Sequence, residues 1–234
     1  MTKVAISLLA GSALVFGVGV SSAQAAPAEV YMIDETVRHV ANDGQTNVVT
    51  ITNTSSNVIV KDTAGLAAGD GCTQTNATTV KCPLPNTFVL DLKDGNDVLT
   101  NNSTVKIFAY GGPGNDVLTG GAANEGLFGD AGNDVINGNA GSDFINGGAG
   151  NDVINGGAGD DRIDDPTGND TISGGAGNDN IQENGGTDTI NGDAGNDTIY
   201  SLDQTNDVIN CGSGTDSYGL DPNDTRSGCE NSLN

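Results

Sequence analysis

The chain contains no tryptophan, and aromatic residues make up only 4% of it. A large conventional core is built on such bulky side chains, so this composition argues against one. There is a single histidine, His39, which excludes a multi-histidine zinc site. Basic residues are scarce: 8 Lys and Arg stand against 31 Asp and Glu, a formal charge of -23. Neutralising nucleic-acid phosphates requires Lys and Arg, so a nucleic-acid partner is not expected. Neither H-E-x-x-H nor G-x-S-x-G occurs, which removes the metalloprotease helix and the nucleophile elbow. No catalytic residues and no organic cofactor site are assigned.

Only one long apolar run is present, from Val4 to Val20, preceded by Lys3 and followed by Ala23-Gln24-Ala25. That order fits a secretory leader with a small-x-small cleavage site, residues 1–26, and a mature chain starting near Ala26. An N-terminal membrane anchor is the other reading. Nothing later is apolar enough to span a bilayer as a helix.

What the chain has in excess is glycine, 36 residues, and from Gly111 to Tyr218 it falls in a nine-residue period. The unit Gly147 to Asn155 reads GGAGNDVIN and is followed by GGAGDDRID. Position six of each unit is Asp116, Asp134, Asp143, Asp152, Asp161, Asp170, Asp179, Asp188 or Asp197, with Glu125 as the one substitution. Position eight is Leu118, Leu127 and then isoleucine from Ile136 to Ile199 without exception. A fixed period of this kind decides the architecture before any strand or helix is assigned.

Glycines at positions one, two and four permit positive φ or close backbone approach. Positions one to six therefore read as a turn and positions seven to nine as a short extended segment. Strand alternation sends seven and nine to one face and eight to the other, so the aliphatic column points inward. One unit cannot bury a single isoleucine usefully; stacked units can. Two units make one coil. Asp116, Asp134, Asp152, Asp170 and Asp188 then share one edge, while Asp143, Asp161, Asp179 and Asp197 share the other, below Glu125. Rungs about 4.8 Å apart would set like charges against each other unless a cation lies between them. Hard oxygen ligands and no soft donors select calcium.

These tandem units resemble the hemolysin-type calcium-binding, or RTX, nonapeptide repeat. The resemblance implies an all-β, right-handed parallel β-roll, with calcium held between turns by the position-six Asp and backbone carbonyls. It covers about half the chain, and one carboxylate-bearing loop on each side suggests about six to eight ions. GGAANEGLF from Gly120, DPTGNDTIS from Asp165 and ENGGTDTIN from Glu183 depart from the pattern.

Around the ladder, residues 27–95 read as an N-terminal β cap, either separate or as irregular rungs continuous with the solenoid. Its β-rich runs are Val30 to Ile33, Val48 to Thr52, Val58 to Val60 and Phe88 to Leu92, separated by polar turn clusters. The roll spans 96–219, and the stretch Asp94-Gly95-Asn96-Asp97-Val98-Leu99 across its boundary with the cap already resembles a repeat. After Tyr200 the phase slips, with Asp207 ten residues beyond Asp197. Cys211 to Asp216 then resumes the motif and adds Asp216 to the metal set. Residues 220–234 are expected to fold back as a C-terminal cap. Four cysteines in an exported chain suggest two disulfides, and spacing favours Cys72–Cys82 and Cys211–Cys229.

The expected function is a secreted, extracellular calcium-binding protein whose folding is driven by several Ca2+ ions. The alternatives are a cell-surface adhesin, or a polysaccharide-active enzyme in which residues 27–110 use His39 or Asp34. His39 is expected to be a surface residue. No cell-wall or surface partner is specified by the sequence.

Overall fold

The computed structural model describes residues 27–33 and 36–233; the leader assigned to 1–26 and Asp34 lie outside them. Every described element is a strand, and the strands form two 12-stranded sheets. From Thr87–Asp91 onward successive strands alternate between the sheets, so each coil contributes one strand to each. Within the ladder all neighbours are parallel and in register, as in Val135↔Val153↔Thr171 on one sheet and Phe144↔Arg162↔Asn180 on the other. The chain is a parallel β-solenoid.

Its core is two facing stripes. Leu118, Ile136, Ile154, Ile172, Ile190 and Ile209 stack on one sheet. Leu127, Ile145, Ile163, Ile181 and Ile199 stack on the other. All are at most 1% exposed, whereas the position-seven valines Val117, Val135 and Val153 are 37–48% exposed. The period-two alternation therefore places position eight inside, as the sequence predicts. Tyr218 ends the second stripe, stacked on Ile199.

The strands are longer than three residues. Val153–Ala158 and Thr171–Ala176 run from position seven into position three of the next unit. The turn is correspondingly shorter than the six residues expected. The reason is that Gly157 and Ala158 lie in register with Gly175 and Ala176, and small residues let the backbone ladder continue. Position four closes the turn with positive φ. At Gly150 (φ 143°) an added Cβ would sit 1.7 Å from the carbonyl oxygen of Gly132 on the preceding coil. Gly150→Ala forces an L-residue into a sparsely populated backbone region, a cost of about 1–3 kcal/mol, and also pushes two coils apart. We expect its thermal midpoint in calcium to fall well below that of Val153→Thr, which changes only an exposed position; equal midpoints would refute this account of position four.

The strands of residues 27–95 belong to the same two sheets. Thr36–Val40 pairs in parallel with Thr87–Asp91, and Val48–Asn53 with Val98–Asn102. Antiparallel pairings at this end, such as Asn57–Asp62 with Thr79–Pro83, bring the sheets to their edge strands Leu66–Ala68 and Thr73–Asn76. Both edges are short, and Thr73–Asn76 is polar and exposed, features that resist pairing with other chains. Cys72–Cys82 staples this end.

Two expectations are corrected here. His39 is fully buried: strand alternation sends Val37 and His39 inward, His39 aligns with Leu90, and its Nε2 lies 3.1 Å from Asp62 Oδ2. The irregular rungs enclose it because they continue the solenoid's interior. The tail does not fold back. Thr225–Ser227 stacks in parallel on Val208–Asn210, and Asn231–Ser232 on Ser217–Leu220, adding a last coil. The Cys211–Cys229 disulfide ties that coil down, and Arg226 lies over the Tyr218 ring at 5.0 Å. Among the described residues no helix is long and apolar enough to cross a membrane.

Candidate metal centre

Each loop of the ladder presents its position-six carboxylate to the loop one coil away, and the link is a hydrogen bond. The backbone N–H of Asp116 donates to Asp134 Oδ1 at 2.7 Å; Asp134 donates to Asp152, Asp152 to Asp170 and Asp170 to Asp188 at 2.6–2.7 Å. The opposite edge repeats the scheme from Glu125 through Asp143, Asp161, Asp179 and Asp197 to Asp216 at 2.7–2.8 Å. The two columns deduced from the nine-residue period are thus present, and every expected position-six residue lies in one of them.

These carboxylates are not on a solvated face. Asp116, Asp134, Asp152, Asp188 and Asp197 are each 1% exposed, and the rest of the set is equally buried. Glycine makes this possible. A Cβ at position one would meet the Oδ2 of the same unit's position six, at 2.4 Å for Gly129 and Gly138. The same Cβ would meet the position-one carbonyl of the next coil, at 2.3 Å from Gly147 O and 2.4 Å from Gly156 O. The missing side chain leaves a small cradle lined by a carboxylate oxygen and a carbonyl oxygen.

One oxygen of each carboxylate has a donor; the other has none. Oδ2 of Asp116, Asp134, Asp143, Asp152, Asp161, Asp170, Asp179, Asp188, Asp197 and Asp216, and Oε1 of Glu125, are buried without a hydrogen-bond partner. Protein counter-charge is also missing. Among the described residues, the ion pairs are His39–Asp62, Lys93–Asp91 and Arg162–Asp164, and none touches a column. Arg162 is the one basic residue between 111 and 219, and its guanidinium lies at the surface. Burial accordingly pushes Asp134 and Glu125 up to about 7 and Asp116, Asp143, Asp161, Asp179 and Asp197 up to about 6, outweighing the backbone hydrogen bonds that favour the anion. Burying an ionised carboxylate without a partner is among the costliest arrangements available to a protein. A row of them, each with a free oxygen beside a carbonyl, fits a hard divalent cation that takes oxygen ligands, and calcium suits the irregular, flexible ligand geometry.

The columns extend past the residues that the period identified. Asp97 donates to Asp116 Oδ1 and accepts from Asn47 N–H. Asp207 accepts from Asp188 N–H. Asp224 and Glu230 of the tail accept from Asp207 and Asp216. Asp97 and Asp207 carried a signal, since each lies 19 residues from its column neighbour instead of 18. For Asp207 the extra residue is absorbed in the turn 202–207, where Gln204 adopts φ 75°. Asp224 and Glu230 had none, because no repeat surrounds them.

A second ladder runs at position five, in the opposite direction, and periodicity alone did not reveal its role. Asn133 N–H donates to Asn115 Oδ1, Asn151 to Asn133 and Asn169 to Asn151 at 2.8–2.9 Å. The Asn-Asp pair of each unit thus clamps the coil on both sides: asparagine accepts from the following coil and aspartate accepts from the preceding coil. Asn suits position five because it bridges without adding charge.

No curated protein matches the chain. The family model described as the RTX calcium-binding nonapeptide repeat matches in four copies, at residues 108–136, 128–163, 167–199 and 184–218. These spans contain the column carboxylates from Asp116 to Asp216. The ladder of this chain is an array of RTX calcium-binding nonapeptide repeats.

Proposed function

We propose that this is a secreted calcium-binding protein in which Ca2+ bridges adjacent turns and drives folding outside the cell. The observation that supports it best is the pair of buried carboxylate columns, each member hydrogen-bonded through one oxygen and unpartnered at the other. The ligands would be the position-six carboxylates from Asp116 to Asp197, with Asp216, together with position-one carbonyls. Bound calcium supplies the positive charge that the sequence withholds. The chain supplies the rest: glycines that open the cradles, N–H groups that fix each Oδ1, and aliphatic stripes that set the spacing between coils.

Residues 1–26 would be removed on export. Residues 27–95 would close one end of the roll at 96–219, and 220–234 the other. Two disulfides suit an oxidising compartment. Extracellular sites of this chemistry bind in the range of about 10⁻⁴–10⁻³ M, far above cytosolic calcium, so folding would wait for export. The burial of His39 removes one of the two bases that the enzyme alternative would use.

Asp134→Asn tests the ligand assignment. An amide oxygen can still accept from Asp116 N–H, but one negative charge is gone. The calcium midpoint for folding should rise on the order of tenfold, while the calcium-free chain at neutral pH becomes more stable, not less. A midpoint unchanged by this substitution in a calcium-titrated circular dichroism series would remove Asp134 from the ligand set.

A further inference from the structure

Position one is glycine in most units because a side chain there would enter the cradle. One stretch breaks that rule. On the edge that carries Asp152, Asp170 and Asp188, position one runs Gly147, then Asp165, then Glu183. Asp165 does not turn outward. It is 0% exposed, and neither of its carboxylate oxygens has a hydrogen-bond partner. A Cβ on Gly147 would lie 2.7 Å from Asp152 Oδ2 and 2.7 Å from both oxygens of Asp165. The Asp165 carboxylate therefore enters the cradle that elsewhere is bounded by a position-one carbonyl. Ligand oxygens of Asp152, Asp165 and Asp170 all lie within 4.8 Å of one another. Oδ2 of Asp152 and of Asp170 are unpartnered as well.

We propose that Asp152, Asp165 and Asp170 form a cation site of a second kind, with three carboxylates converging on one cradle, and that it is the tightest calcium site in the array. The inference rests on the reading of the ladder as calcium-binding. Its physical basis is charge count: affinity of an oxygen site for calcium rises with the number of carboxylates and the rigidity of the cage. Here an additional anion is held in place by the surrounding coils. The neighbouring acidic group differs. Glu183 accepts from the Ser201 hydroxyl and Gly185 N–H, and Asp203 from Gly186 and Thr205 N–H. Asp207 accepts from Asp188 N–H and is the alternative acceptor for the single Ser201 hydroxyl proton. Asp188 Oδ2 is the unpartnered oxygen of that group, and the three carboxylates around it already engage protein donors, so the proposal stops at Asp165.

The test is calcium titration of the metal-free mature chain, followed calorimetrically and by native mass spectrometry, for the natural sequence, Asp165→Gly and Asp165→Asn. Asp165→Gly converts the unit to the array's own regular form; Asp165→Asn keeps the shape and removes the charge. The natural chain should show one equivalent bound at least about tenfold more tightly than the rest. Both variants should lose that class and keep the weaker ones. Should Asp165→Gly fail to fold in excess calcium, Asp165→Asn decides. A single uniform class in the natural chain, or a tight class that survives both substitutions, overturns the proposal while leaving the ladder reading intact. No calcium bound by the natural chain at all defeats the ladder reading itself.

Discussion

Metal-free mature protein at neutral pH is expected to lose most of its β-sheet circular dichroism and to regain it when calcium is restored. The magnitudes decide this. Neighbouring charges one rung apart, about 4.8 Å, repel by about 3–4 kcal/mol at an effective dielectric near 20. Each column holds several such pairs with no lysine or arginine among them. A typical domain has only about 5–15 kcal/mol of net stability, so a few uncompensated pairs are enough to open it. The aliphatic stripes are too narrow to resist, since each coil contributes a single inward position eight per sheet. Calcium binding and folding then become one free energy. The transition should be cooperative in calcium: once the tightest site is filled, the remaining ions should appear together in the native mass spectrum. A chelated chain that stays compact, with an unchanged β spectrum, would end this account.

The second large effect is on pH, and its sign is the reverse of ordinary acid denaturation. Unfolded carboxyls titrate near 4. In the metal-free fold, burial lifts Asp134 and Glu125 to about 7 and Asp116, Asp143, Asp161, Asp179 and Asp197 to about 6. Between these limits the folded state binds more protons than the unfolded one, so stability falls as pH rises. The stabilising contribution of protonation is complete below about pH 4 and disappears as pH passes through about 6 to 7. Metal-free protein should therefore be structured near pH 5, above the calculated isoelectric point of 4.1, and should unfold steeply towards pH 7. Calcium-loaded protein should show the opposite trend, because protons compete with the ion for the same oxygens. The measurement is chemical denaturation of metal-free protein at pH 5, 6 and 7. A stability that rises over that interval would contradict the burial of the columns.

Much of this was legible because a repeat writes its geometry many times. Position eight had to be inward once it was always aliphatic. Position six had to form two columns once two units made a coil, and the glycines around it had to leave room. The coarse fold and the residues of both columns followed from period and alternation alone. Where the period lapsed, so did legibility. Asp97 and Asp207 sit 19 residues from their partners and belong to the columns all the same, whereas Asp224 and Glu230 have no surrounding motif. His39 looked like a surface residue because Asp62, its partner, lies 23 positions away on another strand.

The sequence by itself determined that this chain stacks, which side of each rung faces inward, and that its acids fall in line. Those are local properties, set by backbone sterics and by the alternation of side chains along a strand. Only the tertiary structure decided that the carboxylates are buried, that each keeps one oxygen unpartnered, and that Asp165 points into a cradle built for glycine. Burial and hydrogen-bond satisfaction are properties of what the next coil places opposite a residue. That neighbour is about 18 residues away along the chain, beyond the reach of any local rule.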